Sequence, residues 1–266
     1  MSSDSPRRRR FLSRTVVVAS ALATAGCLTD APGDSDDGES TTTAAGADGN
    51  TTVNSGTTGE TSGSTDTGDS TTERPPTVSF EAPHGATIEA TSYGSGECGV
   101  VLVPQSNLDR GSWQPQAEMV AEMGQLALAI DEDPDDRAAS VRGAIQYLRQ
   151  QQSVSSIVLV GASTGGEAVV VANAETDATI DGTITLSAAG GADRASALRG
   201  RSLFVVSEGD EDRFVRIARE LQQGAPEPTE LVEYGGDAHG QGLFDSEHGG
   251  GLRNRVRTFT SEVCTD

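Results

Sequence analysis

Residues 158–166 read Val-Leu-Val-Gly-Ala-Ser-Thr-Gly-Gly, an apolar run that passes directly into the pattern Gly-x-Ser-x-Gly. The pattern is typical of a sharp strand-to-helix turn in which the serine backbone is strained and the hydroxyl projects outward. Gly161 and Gly165 would let the strand and the helix pass closely. Ser163 would then lie at a helix N-terminus, where free N–H groups and the helix dipole favour an oxyanion. These residues therefore predict a nucleophilic serine.

The flanking residues favour this interpretation over a plain glycine-rich loop, which a chain with 32 glycines could contain by chance. Residues 156–160 form a bounded apolar run that suits a buried parallel strand. Residues 167–174 are mostly small and suit a helix that packs tightly behind the turn. The pattern therefore has the strand and the helix that a nucleophile turn requires.

Residues 1–27 have the order of an export signal, with four successive arginines followed by an apolar run over residues 16–25. The apolar run is too short to span a bilayer. Residues 8–12 resemble the twin-arginine export motif, and residues 23–27 resemble a lipobox whose Cys27 is lipidated after cleavage. We therefore expect an extracytoplasmic lipoprotein, held at the cell surface by Cys27. The alternative is an ordinary signal in which this cysteine has no role.

Residues 28–74 consist mostly of Thr, Ser, Gly, Asp and Glu with few apolar side chains. Such a segment cannot bury enough surface to offset its chain entropy, so we expect a disordered tether. A flexible chain of this length spans roughly 40 Å and would hold a folded domain, residues 75–266, clear of the membrane. Asn50 opens an N-glycosylation sequon, and an unmodified spacer is the alternative.

The formal net charge of the chain is −21, and the chain contains no lysine. Removal of the signal would leave 14 arginines against 39 acidic residues, a net charge of −25. This composition resembles that of proteins from extreme halophiles, because molar salt shortens the Debye length to about 3 Å and screens the self-repulsion. A merely acidic protein is the alternative. The charge argues against nucleic-acid binding and against attraction to anionic lipids.

From residue 75 onward, strand and helix signals alternate. A hairpin is expected over residues 78–93. The further expected strands are residues 100–103, 126–130, 157–160, 183–186, 203–206 and 230–234, and the further expected helices are 113–123, one capped by Asp133-Pro134, 213–221 and 252–263. This alternation predicts a doubly wound, mostly parallel α/β sheet with helices on both faces and with its sites at the carboxyl ends of strands.

A serine nucleophile needs a base that accepts its proton near neutral pH, and the chain has three histidines. Where a Gly-x-Ser-x-Gly turn carries the nucleophile, the acid and then the histidine follow the serine in the chain, which excludes His84. His239 comes directly after the strand expected over residues 230–234, whereas His248 lies nine residues further on. His239 is therefore the favoured base, and a surface-loop histidine is the alternative.

The acid should orient the imidazole and stabilise its positive charge, so we expect it after an earlier strand. Asp210 follows the strand expected over residues 203–206, and Asp212 is the rival. Asp237 lies too close in sequence to His239 to be the first candidate. The choice of Asp210 depends on its position, because this chain has many carboxylates.

Two backbone donors would complete an oxyanion hole. The first is the N–H of Thr164, and the second comes from the loop after residue 103. The Ser106 N–H is favoured there, and Gln105 is the alternative. Apart from Cys27, the chain has Cys98 and Cys264, an even pair in an exported domain, which leaves a disulfide and two unpaired thiols as alternatives.

Together these residues resemble the α/β-hydrolase family, particularly its small dienelactone-hydrolase-like and serine esterase members. The likeness covers residues 78–263, and its most specific parts are residues 100–104 with 112–113, the serine turn, residues 209–210 and residues 238–244. Many members have His-Gly where this chain has Pro104-Gln105, a departure that concerns the second oxyanion donor. Residues 187–200 leave room for only a minimal lid.

The resemblance implies a Ser163–His239–Asp210 mechanism of acyl transfer on small carboxylic esters or thioesters, with no metal ion and no organic cofactor. Fold and catalytic residues alone do not define the leaving group, so a peptidase or another acyl hydrolase stays open. A non-catalytic surface-binding module on the same fold is the rival from another class.

Overall fold

The computed structural model describes residues 74–264. The predicted export signal, Cys27 and residues 28–73 of the predicted tether lie outside the described residues.

In the described part of the chain, eight strands form one sheet in the order β1-β2-β4-β3-β5-β6-β7-β8. They are β1 Thr77–Glu81, β2 Thr87–Tyr93, β3 Cys98–Val103, β4 Leu126–Ile130, β5 Ser156–Ala162, β6 Gly182–Leu186, β7 Arg201–Ser207 and β8 Thr229–Tyr234. The pairs β1–β2 and β2–β4 are antiparallel, and the other five pairs are parallel. The sequence prediction of a doubly wound, mostly parallel sheet is confirmed, including its N-terminal hairpin.

Within residues 74–264, five α-helices cover the two faces of this sheet. They are α1 Gln114–Glu122, α2 Arg137–Gln151, α3 Thr164–Glu175, α4 Asp212–Gly224 and α5 Gly249–Cys264. Helices α1 and α5 pack on one face, and α2 and α3 pack on the other. The central strands β3, β4 and β6 are buried along their whole length, as expected for parallel strands with helices on both sides. None of the helices within residues 74–264 is both long and apolar enough to cross a membrane.

The predicted start of α2 was wrong. The helix begins at Arg137, and its N-cap is Asp136, whose side chain accepts a hydrogen bond from the Ala139 N–H at 2.8 Å. Asp133 lies in the preceding loop, where its own N–H donates to the hydroxyl of Ser140 at 3.0 Å. Both aspartates are suitable caps in sequence, and the course of the loop after β4 decides between them.

Cys98 and Cys264 form a disulfide with a Cα–Cα distance of 5.6 Å. The bond joins the first residue of β3 to the last residue of α5 and so attaches the C-terminal helix to a central strand. Of the two alternatives that the sequence left open, the structure therefore has the disulfide.

The segment between β6 and β7 has no large insertion. Residues 187–200 contain a short 3-10 helix, Ala192–Ala197, and no α-helix. The expectation of a minimal lid is confirmed.

Candidate active site

Ser163 occupies the turn between β5 and α3 with backbone angles φ 49° and ψ −113°. A positive φ is strained for a residue with a side chain, so surrounding contacts must hold it. The Ser163 N–H donates to the Leu186 carbonyl at 2.9 Å, and the Ser163 carbonyl accepts from the Ala189 N–H at 2.9 Å. Strand β6 and the loop after it therefore hold this turn in place.

The glycines on either side of Ser163 are required by close approach of the backbone. A Cβ at Gly161 would overlap the carbonyl of Gly165, and a Cβ at Gly165 would overlap the carbonyls of Val103 and Pro104. The strand, the turn and the loop after β3 therefore meet at a distance that only glycine permits.

Asp210 and His239 form a close pair at the same edge of the sheet. Asp210 follows β7 and His239 follows β8. The His239 Nδ1 lies 2.9 Å from Oδ2 and 3.1 Å from Oδ1 of Asp210. The Asp210 side chain is 4% exposed and also accepts from the Glu211 N–H at 2.8 Å. Since an ionised carboxylate only accepts, Nδ1 of a neutral His239 carries the proton and Nε2 remains a base.

Backbone ties hold the two loops of this pair together. The hydroxyl of Ser207 donates to the Ala238 carbonyl at 2.7 Å, and the N–H of Gly209 donates to the Gly236 carbonyl at 2.8 Å. Both bonds cross from the end of β7 to the loop after β8. These bonds between the two loops therefore help to set the distance between the Asp210 carboxylate and the His239 imidazole.

Phe214 covers part of the His239 imidazole, with ring centroids 4.2 Å apart and planes inclined by 47°. The phenyl ring is buried, and the Arg213 guanidinium lies 4.4 Å from its centroid. An apolar ring at this distance restricts rotation of the imidazole and keeps water from one side of it. The sequence did not reveal this contact, because an apolar residue on an amphipathic helix is usually part of the core.

The rival acid lies elsewhere. Asp212 is the first residue of α4, and within residues 74–264 the carboxylate that contacts His239 is that of Asp210. Asp212 instead lies in the first turn of α4, where its negative charge interacts favourably with the helix dipole.

The other two histidines have separate partners. His248 stacks on Tyr234 with centroids 5.1 Å apart, and its Nε2 lies 3.5 Å from the carboxylate of Glu247. His84 Nε2 lies 3.2 Å from Asp133 Oδ2 in the loops beside β2 and β4. A hydrogen bond from the Asp135 N–H, and secondly the one to His84, hold the pKa of Asp133 below its usual value. Neither histidine takes part in the pair with Asp210.

The structure does not join the Ser163 hydroxyl to the imidazole by a hydrogen bond. In the part of the chain that the structure describes, the His239 ring contacts Asp210 and Phe214. The loop that carries His239 nevertheless passes beside the end of β5, because a Cβ built on Gly240 would lie 3.6 Å from the Cβ of Ala162. Catalytic hydrogen bonds are often long or misaligned until substrate binds.

Two candidate oxyanion donors lie near this turn. Thr164 is the first residue of α3, so its N–H has no acceptor one helical turn earlier. The Gln105 N–H is engaged, because it donates to Oε1 of Gln241 at 3.2 Å. Ser106 lies in a turn closed by the Leu108 N–H and the Gln105 carbonyl at 2.9 Å, and its N–H has no acceptor within residues 74–264. The structure thus leaves Ser106, not Gln105, with an available donor.

Glu132 lies in the loop after β4, at the same edge of the sheet. Burial raises the pKa of this carboxyl to about 7, although Arg137, whose Nε lies 3.5 Å from Oε1, opposes the shift. No pattern in the sequence indicates that Glu132 is buried, since burial of one carboxylate among many depends on how the loop folds. Within the described part of the chain, no group of three or more His, Cys, Asp or Glu side chains could hold a metal ion.

A scan against protein-family models gives no match, and a search of curated proteins by sequence gives none. Solved structures do match. An esterase of Pyrococcus furiosus superposes with a TM-score of 0.62 at 11% identity, over 71% of this chain and 90% of that one. A dienelactone hydrolase of Anabaena variabilis gives 0.60 at 17% identity, over 71% and 97%. An esterase of Exiguobacterium antarcticum gives 0.59 at 12% identity, over 69% and 99%.

This is the α/β-hydrolase fold. In α/β-hydrolases the reactive groups lie at the carboxyl ends of the strands, and here Ser163, Asp210 and His239 follow β5, β7 and β8 in that order. At these identities the superpositions concern the fold, so the chemistry must be argued from the site itself.

Proposed function

We propose that this protein is a serine hydrolase that cleaves carboxylic esters or thioesters by acyl transfer. The observation that carries the proposal is the strained Ser163 turn at the same sheet edge as the Asp210–His239 pair, whose carboxylate is buried. A backbone strained at one serine, beside an imidazole oriented by a carboxylate, is the arrangement that nucleophilic catalysis requires.

In the proposed reaction the Ser163 hydroxyl turns towards His239 and attacks the acyl carbon while its proton passes to Nε2. The N–H groups of Thr164 and Ser106 hold the oxyanion, and Asp210 stabilises the imidazolium. His239 then returns the proton to the departing alcohol or thiol. Water, deprotonated by the same imidazole, then attacks the acyl carbon. The bond to Ser163 Oγ breaks, the imidazolium returns the proton to that oxygen, and the acid leaves.

The substrates are small esters that enter from solvent, since the segment above the site holds only the 3-10 helix Ala192–Ala197. Cleavage takes place outside the cytoplasm, on a protein anchored by a lipid on Cys27. The support for this location is the signal and lipobox pattern of residues 1–27.

The test is labelling of the purified protein with a fluorophosphonate probe, together with hydrolysis of an aryl acetate and of the matching anilide. We expect the wild type and Ser187→Ala to react with the probe and to hydrolyse the ester. Ser163→Ala should do neither. Ser187 is a matched control because it is also buried with a positive φ and follows the neighbouring strand β6. Ester cleavage without anilide cleavage separates an esterase from a peptidase.

A folded wild type that neither reacts with the probe nor cleaves the ester would refute the proposal. That outcome would favour a non-catalytic binding module on the same fold.

A further inference from the structure

Two glutamines from distant parts of the chain bind each other reciprocally beside the candidate site. The Gln105 N–H donates to Oε1 of Gln241 at 3.2 Å, and the Gln241 N–H donates to Oε1 of Gln105 at 3.1 Å. These residues are 136 positions apart, one in the loop after β3 and the other in the loop after β8. We call this arrangement the glutamine clamp.

The side-chain amides of the glutamine clamp are also engaged. Nε2 of Gln241 donates to the Ser112 hydroxyl at 2.9 Å, and Nε2 of Gln105 donates to Oδ1 of Asn107 at 3.1 Å. Gln241 is 8% exposed. Because a buried amide is costly unless it is hydrogen-bonded, these bonds select one arrangement of the two loops.

Gly240 makes room for the glutamine clamp. Its φ is 56°, and a Cβ at this position would overlap Oε1 of Gln105. The glycine therefore permits both the backbone turn after His239 and the close approach of the Gln105 side chain.

The glutamine clamp connects two groups that the proposed reaction uses at the same moment. Gln105 directly precedes Ser106, the candidate second oxyanion donor, and Gln241 lies two residues after His239. It also occupies the Gln105 N–H, which donates to Gln241 Oε1. We propose that Gln105 and Gln241 are positioning residues that hold the Ser106 N–H at the correct distance from the His239 imidazole.

This inference rests on the proposed function, and its size follows from the geometry of oxyanion stabilisation. Loss of one oxyanion donor lowers turnover by ~10² to 10³, and misplacement of a reacting group by 1 Å can cost ~10². The glutamine clamp places the donor but does not supply it. We therefore expect its loss to lower kcat about 10- to 100-fold, with KM changed less than about threefold.

The experiment compares Gln241→Met, Gln105→Met, the double variant and Gln241→Glu with wild type. Kinetics of aryl acetate hydrolysis are measured with inhibition by an arylboronic acid, which mimics the tetrahedral intermediate. Gln125→Met is the matched control, since Gln125 is 7% exposed and directly precedes β4 at the opposite edge of the sheet. Thermal unfolding of each variant sets a temperature at which all of them are folded.

We expect both methionine variants to lose kcat and boronate affinity in parallel. The double variant should lose no more than either single one, because each change opens the same clamp. Gln241→Glu keeps an oxygen for the Gln105 N–H and should recover most of kcat. Gln105 is only half-buried, and its substitution breaks the other bond of the clamp, the one that Gln105 Oε1 accepts. This variant therefore tests the clamp even where Gln241→Met fails to fold.

The inference is overturned if folded Gln105→Met and Gln241→Met keep kcat and boronate affinity within about twofold of Gln125→Met. If the wild type hydrolyses the ester and the two methionine variants behave like Gln125→Met, only the positioning role is refuted. A wild type without ester hydrolysis or probe labelling refutes the proposed function, and the positioning role with it.

Discussion

Removal of the buried charge of Glu132 should stabilise the protein increasingly as pH rises. The Glu132 side chain is 7% exposed, and burial raises its pKa from 4.5 to about 7. A carboxyl with a raised folded-state pKa contributes stability below its unfolded pKa, and that contribution is lost as pH rises through the folded value. Above pH 7 the folded protein therefore contains an ionised Glu132 carboxylate, which water stabilises better in the unfolded chain.

The size of the effect follows from these two pKa values. A shift of one unit corresponds to 1.36 kcal/mol, so the penalty is about 1 kcal/mol at pH 5 and about 3 kcal/mol at pH 8. Glu132→Gln keeps the shape of the side chain and cannot ionise. Its gain in unfolding free energy over wild type should grow by roughly 2 kcal/mol between pH 5 and pH 8.

The assay is urea unfolding at a series of pH values in about 2 M KCl, which screens the many surface carboxylates. Glu81→Gln is the control, since Glu81 is exposed on edge strand β1 and its substitution removes the same charge. The Glu132→Gln difference in unfolding free energy is compared with that of Glu81→Gln at each pH. A Glu132→Gln difference that is equal at pH 5 and pH 8 would refute the assignment of a buried, costly carboxylate.

Further predictions concern the site, the cross-link, the surface and the anchor. Asp210→Asn should lower kcat for ester hydrolysis by ~10⁴ because the imidazole loses its orientation, whereas Asp212→Asn should stay within about threefold of wild type. Reduction of the Cys98–Cys264 bond should lower the free energy of unfolding, measured in urea, by at most about 5 kcal/mol for a separation of 166 residues. The thermal midpoint should be higher in about 3 M KCl than in about 0.1 M, because salt screens the net negative charge, and an unchanged midpoint would exclude halophilic adaptation. Cys27→Ser should release the protein into the medium, and continued membrane association of that variant in cell fractionation would contradict lipid anchoring.

Sequence was sufficient where the signal is local. Strand β4 was predicted at residues 126–130 and lies there, and β5 was predicted within two residues at each end. Apolar runs bounded by turn residues specify such buried strands because few other structures accommodate them. The start of α2 was wrong because two aspartates close together, Asp133 and Asp136, both satisfy the capping rule.

The candidate site also has features that the sequence predicts and features that depend on the fold. The pattern around Ser163 and the order of serine, acid and histidine are properties of the chain, and they pointed to one edge of the sheet. Which carboxylate meets His239 is a property of the folded loops, and the structure places Asp210 there and Asp212 at a helix start. The hydroxyl of Ser163 and the imidazole are not joined by a hydrogen bond among the described residues, so their cooperation stays a proposal.

The amino-acid sequence by itself determined the parallel sheet, the strained serine turn and the acidic surface, because periodicity, glycine spacing and charge are carried by neighbouring residues. Only the tertiary structure decided that Gln105 meets Gln241, that Phe214 covers His239 and that Cys98 bonds Cys264. Each of these contacts joins residues between 25 and 166 positions apart. Such contacts form only when packing of the helices on the sheet has brought the loops and chain ends together.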